Sequence, residues 1–138
     1  MFDANEVING LYGFVYDENG KQMQETKAFE VNVDYDKEEV LQAGKLMKGH
    51  KVIAASGAGT ITAHKIDSRL QRKAADNPHA KYNFSAKLKD PTSKGEEYIM
   101  FIGVSFDSAQ LMSFELGELG EIEMDFTFDD FKYLKSIN

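Results

Sequence analysis

From Phe29 onward the chain alternates cleanly. Phe29, Val31, Val33 and Tyr35 fall on one side of an extended backbone, and Glu30, Asn32, Asp34 and Asp36 on the other. A period of two predicts a long strand with one wet face. The stretch KVIAASGAGTITAHK, Lys51 to Lys65, alternates at both ends, but its middle is almost all small. Ala54, Ala55, Ser56, Gly57, Ala58 and Gly59 run together before Thr60. It too reads as a strand, with Gly57 and Gly59 on one face and Ala54, Ser56 and Ala58 on the other. Between the two lies KEEVLQAGKLMKGH, Lys37 to His50, which fits two descriptions. Val40, Ala43 and Met47 suit a helix, yet Gly44 in its middle costs about 1 kcal/mol relative to Ala. Gly44 and Gly49 suit a flexible loop equally well.

The same reading continues to both ends. LYGFVYDENGKQMQ carries Asn19-Gly20 between strand-like flanks, a hairpin signal. One helix is predicted: Ser68 caps it, Gln71 completes a capping box, Asn77-Pro78 stops it, and Ile66, Leu70 and Ala74 line its inner face. KYNFSAKLKD is a strand leading to a turn at DPTSKGE. EYIMFIGVSFD is apolar nearly throughout, which predicts a central strand covered on both faces. AQLMSFEL and EIEMDFTFDD are read as strands flanking a turn at GELG. In the second, Ile122, Met124, Phe126 and Phe128 oppose Glu121, Glu123, Asp125 and Thr127. Six or seven strands with one helix predict a mainly-β barrel or sandwich.

Composition narrows the class. At 138 residues with 42% hydrophobic side chains and ten Phe, the chain fits one domain, residues 1–138, with a full core. It has no Cys, so no disulfide or thiolate metal site. No run of apolar residues is long enough to span a bilayer, and MFDANEVING lacks the features of a secretory leader, so a cytosolic product is expected. A net charge of −7 argues against nucleic-acid binding, which depends on Lys and Arg neutralising phosphates.

The glycines at 57 and 59 raise the question of phosphate binding. A Walker loop needs Lys after its last glycine, and here Thr60-Ile61 follow. A dinucleotide fingerprint needs a third glycine and a helix, whereas position 62 is Thr and the strand continues. Close backbone packing at Gly57 and Gly59 is the remaining reading. Counted from Asp34 as an EF-hand loop, DYDKEE lacks the required Gly and Glu. His50, His64 and His79 are too far apart to suggest a metal site. No GxSxG elbow is present, and nothing converges on Glu121, Glu123 and Asp125. The expectation is a protein that is not an enzyme and carries no cofactor. Arg69, Arg72 and Lys73 cluster on the helix as either a solvated face or a docking patch for an acidic neighbour.

Six stretches in order, DANEVINGLYG, AGKLMKGHKV, GAGTITAHKIDSR, KLKDPTSKGEEY, IGVSFD and GELGEIEMDFTFDDFKYL, resemble the tail tube protein family of contractile phage tails. The likeness is to the branch found in PBSX-type defective prophages and clostridial R-type bacteriocins, and it runs from about Asp3 to the C-terminus. The resemblance implies a small β-barrel or sandwich flanked by a helix. It also implies hexameric rings that stack into a hollow tube inside a contractile sheath, with no active site.

In such proteins a long hairpin builds a shared inner barrel. That role would fall to Phe29–Glu39 and Lys51–Lys65, with Leu41, Gly44, Leu46, Met47 and Gly49 at the connecting tip. Asn32, Asp34, Asp36, Glu38, Ser56, Thr60 and Thr62 would then face the channel. Gly57 and Gly59 would serve close packing, and Arg69, Arg72 and Lys73 inter-subunit docking. Identical copies, a sheath protein and a baseplate are the implied partners, with DNA only as non-specific passing cargo in a true phage. A monomeric β-barrel holding a small apolar ligand is the competing class, and a tube from an injection system unrelated to phage is a third.

Overall fold

The computed structural model describes residues 1–23 and 25–137. Two single-turn 3₁₀ helices, Ala4–Glu6 and Gly10–Tyr12, lead into β1 (Gly13–Tyr16), β2 (Thr26–Val40) and β3 (Gly49–His64). A short helix α1 (Arg69–Asp76) follows, then β4 (Tyr82–Leu88), β5 (Glu97–Phe106), β6 (Glu121–Phe128) and β7 (Asp130–Lys135). All pairings are antiparallel, in the order β1-β4-β5-β6-β3-β2, and β7 joins β5.

β6 and β7 together form one bent strand along β5. Gly103, at φ 72°, bulges β5 opposite the bend. Its N–H donates to Asn83 Oδ1 at 3.2 Å, and the Asp129 N–H donates to the Ile102 carbonyl at 2.9 Å. The sheet rolls at this corner but does not close into the expected barrel. Among the described residues the end strands β1 and β2 share no ladder. Length is the reason. β1 has 4 residues and is committed to β4, while β2 has 15. The Asn19-Gly20 turn does form, with Gly20 at φ 77°, but the predicted hairpin reduces to one bridge, Tyr16 to Gln22.

The concave face holds the core. Val15, Ile61, Ala63, Phe84, Phe101, Val104, Ile122, Met124, Phe126 and Phe128 are buried there with Ala74 of α1. β6 alternates exposed and buried along its whole length, as its pattern predicts. Each such side chain stabilises by about 1.5–3 kcal/mol on burial. The rings interlock, Phe29 stacking on Phe126 at 5.8 Å and Phe101 meeting Phe128 edge-on at 5.3 Å. Gly57 and Gly59 make room for them. A Cβ on Gly57 would run into the Phe128 ring, and one on Gly59 would stand 2.6 Å from both the Glu30 carbonyl oxygen and the Phe126 ring.

Four elements differ from expectation. AQLMSFEL forms no strand. The adjoining edge of β6 is already occupied, by the Asp107 N–H on the Asp125 carbonyl at 2.9 Å and by Gln110 Oε1 on the Glu123 N–H at 3.1 Å. The capping box at α1 is absent: Ser68 makes no side-chain cap, and Asp67 Oδ1 accepts from the Arg69 N–H at 3.1 Å. Gln71 is buried instead and donates to the Gln110 carbonyl at 2.9 Å, so Leu70, Gln71 and Ala74 form the inner face while Ile66 is exposed. β5 is fully covered on its Phe101–Val104 face but only half-buried at Tyr98, Met100 and Ile102. Finally, Lys37–Val40 and Gly49–His50 belong to strands, leaving a loop only from 41 to 48.

The segment before β1 is pinned by a buried carboxylate. Asp90 accepts from the N–H groups of Thr92 and Asn9, each at 2.9 Å, and from the Thr92 hydroxyl at 2.8 Å. The Thr92 N–H, then the Asn9 N–H, hold its carboxyl below the ordinary range.

Two outcomes are expected. Gly59→Ala should cost about 1–3 kcal/mol in urea unfolding, because the carbonyl it meets is fixed by the ladder. Ala58→Ser, on the wet face, should stay within about 0.5 kcal/mol. Because Asp90 is depressed in the fold, its contribution is complete above its unfolded pKa and disappears as pH falls through the lower folded value. Acidification through that range should therefore lower the protection factor of the Asn9 amide, its exchange compared with the intrinsic rate at the same pH, and Asp90→Asn should abolish that acid dependence.

Candidate assembly surfaces

β2 pairs with β3 along its whole length, from Thr26 opposite Ala63 to Val40 opposite Gly49. β6 accompanies β3 only from Gly57 to His64. The distal half of the hairpin therefore leaves the sheet with both outer edges bare. Every residue from Asp34 to Ser56 except Gly49 is exposed. One irregularity interrupts it: Asp36 faces Ala54 and Lys37 faces Val52, so Ile53 is an extra residue that bends the ribbon.

The residues expected to line a channel share one face. Strand alternation places Asn32, Asp34, Asp36 and Glu38 together, and the register sets Asp34 against Ser56 and Glu30 against Thr60. That face continues across β6, with Thr60 opposite Asp125 and Thr62 opposite Glu123. Thr60 Oγ1 donates to Asp125 Oδ1 at 2.8 Å, and Ser105 of β5 ends the row beside Thr127. Lys27 donates to Glu121 at its margin, and that hydrogen bond holds the Glu121 carboxyl below its ordinary range. Lys51, opposite Glu38, is the cation farther out. Glu30, Glu121, Glu123 and Asp125 belong to the surface although sequence reasoning left them out. Glu30 shares the face by the alternation of β2 alone, whereas only the pairing of β6 with β3 joins Glu121, Glu123 and Asp125 to it.

At the tip, Leu41, Leu46 and Met47 stand in water, Gly44 takes φ 79° in the turn, and Gly49 opens β3. The three cations of α1 do not act alike. Lys73 turns inward, pairing with Glu18 at 2.7 Å and lying 4.8 Å from the Tyr82 ring centroid. Arg69 and Arg72 stay exposed and pair locally with Asp67 at 2.8 Å and Asp76 at 3.3 Å.

Two features escaped the sequence. The open seam beside β2 is an apolar cleft of about 820 Å³, lined by Phe29, Val31, Val33, Ile99, Phe101 and Tyr133 among others. The connection between β5 and β6 exposes Leu111, Met112, Phe114, Leu116 and Leu119. Its apolar content was legible, but it signalled a strand.

No group of His, Cys, Asp or Glu with metal-binding geometry occurs among the described residues, and no described helix is long and apolar enough to cross a membrane. Comparison with known proteins turns these surfaces into an identity. The Phage-like element PBSX protein XkdM of Bacillus subtilis (strain 168) is 35% identical over 136 residues, covering 93% of this chain and 90% of that protein. The fold resembles a chain of the PVC extracellular contractile injection system sheath–tube complex, with TM-score 0.74 at 10% identity over 99% of this chain and 100% of that one. It also resembles a chain of the anti-feeding prophage tube-terminating cap, with TM-score 0.76 at 9% identity over 99% and 96%. The family described as "Phage tail tube protein" matches residues 1–135, and on that span the chain belongs to this family as a structural tube subunit.

Proposed function

We propose that this tube subunit acts as a single domain that forms hexameric rings, stacked into a hollow conduit inside a contractile sheath and above a baseplate. One observation carries the reading: the outer half of the β2–β3 hairpin is bare along both edges. A bare edge is a template for another chain. In a ring, the β2 edge of one copy meets the β3 edge of its neighbour, and the shared barrel leaves no edge unpaired. Rotation that closes the ring, with a second contact along its axis, gives a tube.

In that barrel the wet face turns inward. Asn32, Asp34, Asp36, Glu38, Ser56, Thr60 and Thr62 line the bore, joined by Glu30 and the carboxylates of β6. A wall dominated by carboxylates, with Lys27 tied to Glu121 and Lys51 opposite Glu38, offers a passing polyanion few cations to hold it. The same wall suits DNA passage in a phage tail and ion conduction through an R-type bacteriocin. Assembly takes place in the bacterial cytoplasm, before the tube enters the tail particle. Arg69 and Arg72 lie exposed for a neighbouring subunit, while Lys73 contributes by holding α1 to Glu18.

Electron microscopy of the concentrated protein should show rings and hollow filaments. In hydrogen exchange, the amides of Asp34–Val40 and Gly49–Ser56 and the tip at Leu41–Met47 should be weakly protected in the free subunit and strongly protected in tubes. Equal protection in the two states rejects the shared barrel.

Ring closure also gathers like charges. Carboxylates of two copies brought onto adjacent strands would lie about 5 Å apart and repel by roughly 1 kcal/mol per pair in water. Raising salt from about 0.01 M to about 1 M shortens the screening length from about 30 Å to about 3 Å, so it should speed tube formation followed by light scattering. The variant carrying Asp34→Asn, Asp36→Asn and Glu38→Gln should assemble with much weaker salt dependence.

A further inference from the structure

Strand register sorts the molecule into two ends. At one, Val40 faces Gly49 where the hairpin turns; at the other, His64 faces Glu121. The 16 residues of β3 set the two about 50 Å apart. The tip, residues 41–48, belongs to the first end. The connection from β5 to β6 leaves the second. Its base is fixed by Gln71 of α1, which donates to the Gln110 and Leu111 carbonyls, and its return by the Lys65 N–H on the Gly120 carbonyl at 2.8 Å.

The two segments are alike in one respect and opposite in another. Leu41, Leu46 and Met47 stand in water at the tip, and so do Met112, Phe114 and Leu116 in the connection. Scattered exposed apolar residues need no explanation, but a contiguous run of them does. The charges differ. Within residues 41–48 the charged side chains are Lys45 and Lys48, and within 111–119 they are Glu115 and Glu118. Among the described residues Lys45, Glu115 and Glu118 form no ion pair, and Lys48 reaches Glu39 at 3.1 Å on an exposed surface. The wider stretch 107–121 holds four carboxylates and no Lys or Arg. Arg69 and Arg72 are exposed on α1 at that same end, so a cationic visitor is directed to the connection and away from the helix.

We propose that the hairpin tip of one copy seats against the β5–β6 connection of a copy in the next ring. This rests on the tube reading and names the contact that stacks the rings. Strands in a barrel tilt by about 35–45° from its axis, so one end of the hairpin points forward along the tube and the other points back. Stacked rings then bring tip end to connection end at every layer. Two different surfaces meeting head to tail form a heterologous contact, which propagates instead of closing on a pair. Burial of the apolar side chains supplies the affinity. Lys45 and Lys48 against Glu115 and Glu118 select the partner, because tip on tip and connection on connection both oppose like charges.

The chain has no cysteine, which makes crosslinking clean. Full-length protein carrying Met47→Cys and Phe114→Cys, assembled and treated with a short bis-maleimide, should give covalent multimers that extend past the hexamer on a denaturing gel, since the links run from ring to ring. A second variant, Glu115→Lys with Glu118→Lys, should melt like wild type, because both side chains are exposed, yet form rings with at least ten-fold shorter tubes. Adding Lys45→Glu and Lys48→Glu to it should restore wild-type length. Normal tubes from the charge-reversed connection overturn the proposal, and so does a failure of the second pair to restore length. A double-cysteine tube with no multimer past the hexamer also overturns it, as does a ladder from Phe114→Cys with Tyr133→Cys in its place, which would seat the connection in the cleft. Tubes in any of these results leave the tube reading standing; wild-type protein that never forms rings or tubes overturns both.

Discussion

β3 is 16 residues long and its neighbour β6 is 8, so half of β3 finds no partner on that side. The mismatch organises the molecule. Where β6 accompanies it, β3 is a core strand, burying Ile61 and Ala63 beneath the aromatic rings of β6. Beyond Gly57 the same strand continues with β2 alone. Water satisfies the bare amides of a free subunit, so the ribbon is not costly in solution. It remains a two-stranded hairpin, and such pairs are marginal by themselves. Within one subunit its order is supplied by the sheet at its root.

Small residues at the junction permit this double use. Ile61, Gly59 and Gly57 lie on the core face of β3, but the side chain disappears from that face just where Phe126 and Phe128 arrive. The rings occupy the space that β3 leaves vacant. The opposite face carries Ala58, Ser56 and Ala54, followed by carboxylates on β2 opposite. A single run of small residues therefore closes a hydrophobic core on one side and keeps a narrow polar wall on the other. Neither job involves a ligand, which explains why a glycine-rich stretch here carries no lysine and no helix.

Legibility followed the range of the interaction. Alternation on β2 and β6 depends on each residue's own face, and those strands and their buried sets were readable. The open seam was not, because closure depends on whether β1 is long enough to reach β2. The Glu121, Glu123 and Asp125 set looked like an ordinary solvated face until register placed it beside Thr60 and Thr62. Gln71 looked like a capping residue but is buried on the Gln110 carbonyl across a sequence distance no local rule spans. AQLMSFEL failed for a deeper reason: apolar content predicts burial, and among the described residues its own chain does not bury it. Lys73 shows the same limit in miniature, since a helix-face charge read locally turned out to be tied to Glu18.

A sheet that closed completely would bury Tyr35, Phe131 and Tyr133. A sheet that stays open exposes apolar surface at both ends of its strands, a liability for a lone domain because it invites non-specific association. Its cost is reduced by separation. The two surfaces lie at opposite ends and cannot satisfy each other within one copy, so they remain available to other copies.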